Sequence, residues 1–119
     1  MNKKELMTYF LSKPGSFEDY PFDEETAVLK VANKMFALIN KSEDLSINLK
    51  CNPEYAEELR HIFNGVKPGY HMNKTHWNTI HLNSDVPDDE ILKLIDHSYE
   101  LVFTKLKKSE KEEILDIER

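Results

Sequence analysis

Between Gly69 and Thr79 the chain reads GYHMNKTHWNT, a segment that gathers two histidines, a lysine, a tyrosine, a tryptophan and several amide and hydroxyl side chains without one acid. Lysine and histidine can meet phosphate, so Lys67, His71, Lys74 and His76 are candidate phosphate partners. Tyr70 and Trp77 offer flat faces on which a base can stack, or a wedge for a groove; the same rings can equally serve a core. Asn73 and Asn78 carry the paired donor and acceptor that read base edges. The surrounding charge supports this choice of segment. The protein has 22 acidic and 16 basic residues, for a net charge of −6, yet no acid lies between Glu58 and Asp85. Arg60, Lys67 and Lys74 give that window +3, which leaves −9 for the remainder.

Other chemistries fit the residues less well. His71, His76 and His81 recur at intervals of five, but a metal needs imidazoles converging with a third or fourth ligand, and no H-E-x-x-H or paired-cysteine pattern accompanies them. Cys51 with a histidine would make a nucleophile pair, but Cys51 directly precedes an Asn-Pro helix start that explains its neighbours structurally. The runs Glu18-Asp19, Asp23-Glu24-Glu25 and Asp88-Asp89-Glu90 read as loop and helix-start acids. Three glycines cannot build a phosphate-cradling loop. The expectation is therefore a protein without enzyme activity, metal or cofactor.

The elements that must position the segment follow from periodicity. Leu6, Met7, Phe10 and Leu11 predict a first helix, capped by Asn2 with Glu5 and stopped by Pro14-Gly15. Ser16 to Phe22 reads as a loop anchored by aromatics. TAVLKVANKMFALIN gives two strands split at Asn33-Lys34, which places Lys34 in a hairpin turn. Leu45, Ile47 and Leu49 alternate with Ser46, Asn48 and Lys50, which predicts a strand with Lys50 on its polar face. Asn52 and Pro53 open a helix that Asn64-Gly65 ends. The quoted segment then forms a hairpin: Gly69–Met72, a turn at Asn73-Lys74-Thr75, and a strand over Trp77–Leu82. On that strand Asn78, Ile80 and Leu82 share one face, while Trp77, Thr79 and His81 share the other. A long helix begins at Pro87, with an apolar stripe from Ile91 to Leu106.

The predicted order is α-β-β-β-α-β-β-α. This is an α+β, two-layer domain over residues 1–108, with a mainly antiparallel five-stranded sheet and helices on one face. Residues 109–119 form a charged tail that extends as a helix or frays. A single cysteine and no apolar run near the roughly 20 residues of a membrane span favour a cytoplasmic protein that does not meet a membrane.

PGSFEDYPF, VLKVANKMFALI, LKCNPEYAEELR, VKPGYHMNKTHWNTIHL and LIDHSYELVFTKL, in that order, resemble the MmcQ/YjbR family of small bacterial proteins. The resemblance spans about residues 5 to 106 and is most specific in PGYHMNKTHWNT. It implies a fold similar in plan to type III secretion chaperones. It also implies DNA binding through a double-wing arrangement of hairpins, and it carries no catalytic residue set. The expected ligand is thus DNA, met by the Lys67–Asn78 hairpin with Lys34 and Lys50 as further contacts. The alternative is a protein-interaction module that takes a peptide, a partner subunit or a second copy of itself.

Overall fold

The computed structural model describes residues 1–41 and 44–117, so Glu118 and Arg119 of the tail lie outside the described residues. Among these the elements run α1 (Lys3–Leu11), β1 (Ser16–Asp19), β2 (Ala27–Val31), β3 (Lys34–Ile39), β4 (Ser46–Lys50), α2 (Pro53–Ile62), β5 (Val66–Pro68), β6 (Trp77–His81), α3 (Asp88–Phe103) and α4 (Lys108–Ile117). The strands form one sheet in the order β1-β2-β3-β4-β6-β5, and every pairing is antiparallel.

The helices begin where the sequence supplies caps. The Asn2 carboxamide oxygen accepts the Glu5 N–H at 2.8 Å, and that of Asn52 accepts from Glu54 and Tyr55 at 3.1 and 3.3 Å. All the helices contribute to one core on one side of the sheet. Leu6 and Phe10 of α1, Ala56 and Leu59 of α2, and Ile91, Ile95, Tyr99 and Val102 of α3 meet Leu29, Ala37, Ile39, Ile47, Leu49 and Ile80 from the strands. Phe36 anchors this layer between the ring edges of Phe10 and Tyr99, at centroid distances of 6.0 and 5.5 Å. Ile114 of α4 closes the layer against Gly15.

Three local differences from the sequence reading bear on the site. Ser16–Asp19 is a sixth strand at the sheet edge rather than a loop, paired with Val28–Val31 of β2. It is short, and both of its faces stay at least partly exposed, so it shows no hydrophobic alternation. Lys34 is not in the β2–β3 turn but opens β3 opposite Val31. The turn is Ala32-Asn33, and Ala32 takes the positive φ of 52°. In the last hairpin, strand β5 comes earlier than expected, at Val66–Pro68, and residues 69–76 form the connection.

Candidate nucleic-acid interface

The face of the sheet away from the helices holds the polar positions of the strands. One row crosses all six strands on this face: Asp19, Val28, Leu38, Asn48, Thr79 and Lys67, each opposite the next. Along β4, Ser46, Asn48 and Lys50 point this way, because Ile47 and Leu49 are used by the helix-side core. A small apolar cluster of Val28, Leu38 and Trp77, with Met35 and Met72 against it, gives the face its own packing.

A cleft of about 780 Å³ opens on this surface. Leu38, Asn48 and Thr79 lie in it, with Phe22, Asp23 and Thr26 from the segment between β1 and β2, and Tyr70, His71 and Met72 from the 69–76 connection. Lys41, Lys67, His81 and a second carboxylate, Asp44, complete the charged and titratable part of its lining. Its polar residues are tied to one another. Thr79 Oγ1 donates to Asn48 Oδ1 at 2.6 Å, and Asn40 Nδ2 donates to the same oxygen at 3.2 Å and to Ser46 Oγ at 3.0 Å. Asn48 Nδ2 donates to the Tyr70 carbonyl at 3.1 Å, and the Tyr70 N–H donates back to Thr79 Oγ1 at 2.8 Å. The strand pairing β4–β6 thereby holds the tip of the neighbouring connection in place.

That connection is fixed at its other end by Arg60. Its Nε donates to Asn78 Oδ1 at 2.7 Å, and its Nη2 donates to the Lys74 and Trp77 carbonyls. Lys74 Nζ donates to the Gly69 carbonyl at 3.1 Å, and Asn73 Oδ1 accepts the Thr75 N–H at 2.9 Å. Gly69 passes so close to β6 that a Cβ there would lie 2.7 Å from Trp77 Cβ. His71 sits at φ 59°, a left-handed conformation uncommon outside glycine, with its ring 4.1 Å from that of Tyr70.

The candidate residues therefore separate. Lys67, Tyr70 and His71 line the cleft, and Tyr70 keeps 64% of its surface exposed. Lys34 and Lys50 come together outside the cleft, at a second depression of about 670 Å³ lined also by Lys30, Phe22, Trp77, Lys105 and, from α3, Leu101 and Val102. Lys34, opposite Val31 of the helix-side core, reaches it from the helix side of the sheet. Among the described residues no ion pair engages Lys34 or Lys50, whereas Lys30 bridges to Asp19 at 2.8 Å. Asn73 and Lys74 are exposed but hold the connection together, and His76 is exposed with its carbonyl accepting the Cys51 N–H at 2.8 Å. Trp77 is 6% exposed and belongs to the small apolar cluster, so it is not a wedge. Asn78 is 1% exposed on the helix side, where Nδ2 donates to the Ala56 carbonyl at 3.2 Å; it does not read a base.

Phe22, Asn40, Asn48 and Thr79 were not singled out from the sequence. The polar face of β4 and the Thr79 face of β6 were both visible, but their meeting depends on pairing two strands that are not consecutive. Arg60 had a signal: Asn78 shares a face with Ile80 and Leu82, and a buried amide there requires a partner.

Catalytic and metal chemistry gain nothing from the geometry. Burial pushes the Cys51 thiol up to about 11. Asp23, in the cleft, accepts the Thr26 and Glu25 N–H groups, which hold its carboxyl down at about 2. A carboxylate that acidic is a weak general base. Among the described residues no three histidine, cysteine or acidic side chains are grouped to hold a metal ion. No helix of the described residues is long and apolar enough to cross a membrane.

An antiparallel sheet backed by helices on one side and open on the other defines the class, an α+β two-layer domain. The family model described as YjbR matches residues 11–101, and the chain belongs to the YjbR family. It is 37% identical over 101 residues to the uncharacterized protein YjbR of Escherichia coli (strain K12), a match covering 84% of this chain and 86% of that protein. It is 29% identical over 116 residues to the uncharacterized protein YyaQ of Bacillus subtilis (strain 168), covering 85% and 98%. The crystal structure of Deinococcus radiodurans protein DR2400, a DUF419 domain, superposes with a TM-score of 0.86 at 38% identity over 93% of this chain and 86% of that one. A crystal structure of a Pseudomonas syringae protein gives 0.74 at 31% identity, over 85% and 98%.

Proposed function

We propose that this YjbR-family protein is a DNA-binding module without enzyme activity, and that it takes single-stranded DNA across the open face of the sheet. The observation that carries the reading is that Lys50, which no ion pair engages among the described residues, and Lys67 border the open face together with Phe22 and Tyr70, each 64% exposed, while Lys34 stands beside Lys50 at the rim of the sheet. Cations along a surface neutralise phosphates, and exposed rings stack on unpaired bases whatever their sequence. Single strands are favoured over duplex for a structural reason. Every helix is packed on the far side, and Trp77 is too buried to enter a groove. The acidity of the remaining chain favours an affinity confined to this face rather than general attraction to DNA.

The test is fluorescence anisotropy of a labelled oligonucleotide, single- or double-stranded, at several salt concentrations. Contacts from Lys34, Lys50 and Lys67 predict a log–log salt slope of about −2, at roughly 0.7 per phosphate on a single strand. Replacing Lys34 and Lys50 with alanine should weaken binding and bring that slope below about −1 in magnitude. Unchanged affinity in the double variant would sink this choice of residues. Absence of binding at low salt would sink the DNA reading and turn attention to a protein partner or self-association.

A further inference from the structure

We propose that the cleft above Asn48 is a site for one nucleotide unit: a planar heteroaromatic ring carrying an anionic group. A volume of about 780 Å³ falls in the range of small-molecule sites. Its lining divides by chemistry. Phe22 and Tyr70, from two different connections, bring aromatic faces that stay largely exposed, which suits a flat ring. Asn40, Asn48 and Thr79 form a hydrogen-bonded polar set that reaches the Tyr70 backbone in both directions, so the cleft is pre-ordered without a ligand. Lys67 and Lys41 supply cations for the anionic group; Lys41 already lies 3.4 Å from Asp23, and Asp44 also lines the cleft, which leaves Lys67 as the principal cation. An uncharged apolar ligand would leave these cations unused. A fully polar ligand would leave the rings unused.

His71 adds an independent mark. A non-glycine residue held at φ 59° in the cleft lining is strain of the kind that gathers at ligand clamps. The chemistry has two sources, a free nucleoside monophosphate or one unpaired nucleotide of a strand. Only the second source rests on the DNA reading above.

Isothermal titration and amide NMR distinguish them. The probes are the nucleoside 5′-monophosphates, the corresponding nucleosides, and a short oligothymidine. The proteins are the wild type, Tyr70→Ala, Tyr70→Phe, Lys67→Ala, and Lys108→Ala as a distant surface control. At least one monophosphate should saturate with a dissociation constant below about 1 mM. It should shift the side-chain amide signals of Asn40 and Asn48. Tyr70→Ala should weaken it by about fivefold or more through lost stacking, Tyr70→Phe should retain it, and the nucleoside and Lys67→Ala should each bind more weakly. Monophosphate binding without oligothymidine binding supports the cleft and overturns the DNA reading. Oligothymidine binding that ignores Tyr70→Ala, with no monophosphate bound at about 5 mM, overturns the cleft and leaves the DNA reading standing. Shifts confined to residues outside the cleft also overturn it.

Discussion

Strand β4 carries both surfaces of this molecule in five residues: Ile47 and Leu49 face the helices, and Ser46, Asn48 and Lys50 face the cleft side. Ile47, Leu49, Ser46 and Asn48 are all buried, yet for different physical reasons. On the helix side burial removes apolar surface from water, and the contacts are non-directional. On the other side burial is shared with oriented hydrogen bonds from Asn40, Asn48 and Thr79, which define geometry more than they add net stability. The helix side therefore determines whether the chain folds, and the open side determines what the fold presents.

The largest effect that would sharpen this contrast is Phe36→Ala. Phe36 is fully buried against Phe10 and Tyr99, so its truncation should cost about 3–5 kcal/mol in denaturant unfolding. Arg60→Ala comes next, at about 2 kcal/mol, because Asn78, the Lys74 carbonyl of the 69–76 connection and the Trp77 carbonyl at the start of β6 lose a charged donor. Hydrogen exchange should then speed up in residues 69–76 and hardly change in α3. Uniform acceleration would show that Arg60 supports the whole core rather than the connection. Thr79→Val should cost about 1–2 kcal/mol, since the Tyr70 N–H and Asn48 Oδ1 lose their shared hydroxyl.

A smaller effect depends on pH. Burial lowers the His97 pKa below 6.5, and its Nε2 accepts the Asn52 N–H at 3.2 Å at the start of α2. The neutral ring is the one the fold favours. Its contribution is thus complete above pH 6.5 and declines as pH falls from there through the folded-state value. Unfolding followed across pH 7 to 5 should show this decline, and His97→Gln, which keeps an acceptor, should flatten it. A histidine titration by NMR with a midpoint above 6.5 would contradict the assignment. The smallest stability change belongs to Tyr70→Ala, within about 0.5 kcal/mol, because the ring is mostly exposed and nothing in the core leans on it.

Much of the helix side was legible in the sequence, and much of the open side was not. Leu6, Phe10, Ile91, Ile95 and Tyr99 repeat at helical spacing, and such periodicity survives folding because it is what buries them. Asn2 and Asn52 announced helix starts by local chemistry. The edge strand β1 escaped notice because an exposed strand needs no alternation. The β2–β3 turn was displaced by one residue because the positive φ falls on Ala32, a residue that does not advertise it, rather than on Asn33. In the cleft lining, Lys67, Tyr70 and His71 were legible as surface candidates because they are local to a conspicuous motif. Trp77 and Asn78 looked like recognition residues because their types suit it, and the sequence could not show that cluster packing and Arg60 occupy them.

The central claim is that recognition lies on the face the helices leave open. Amide NMR of the protein titrated with a single-stranded oligonucleotide at low salt tests it most directly. Shifts centred on Asn48, Lys50, Lys67 and Tyr70, with α2 and α3 little changed, are the predicted result. Shifts centred on the exposed sides of α2 and α3, or none at all, would contradict it.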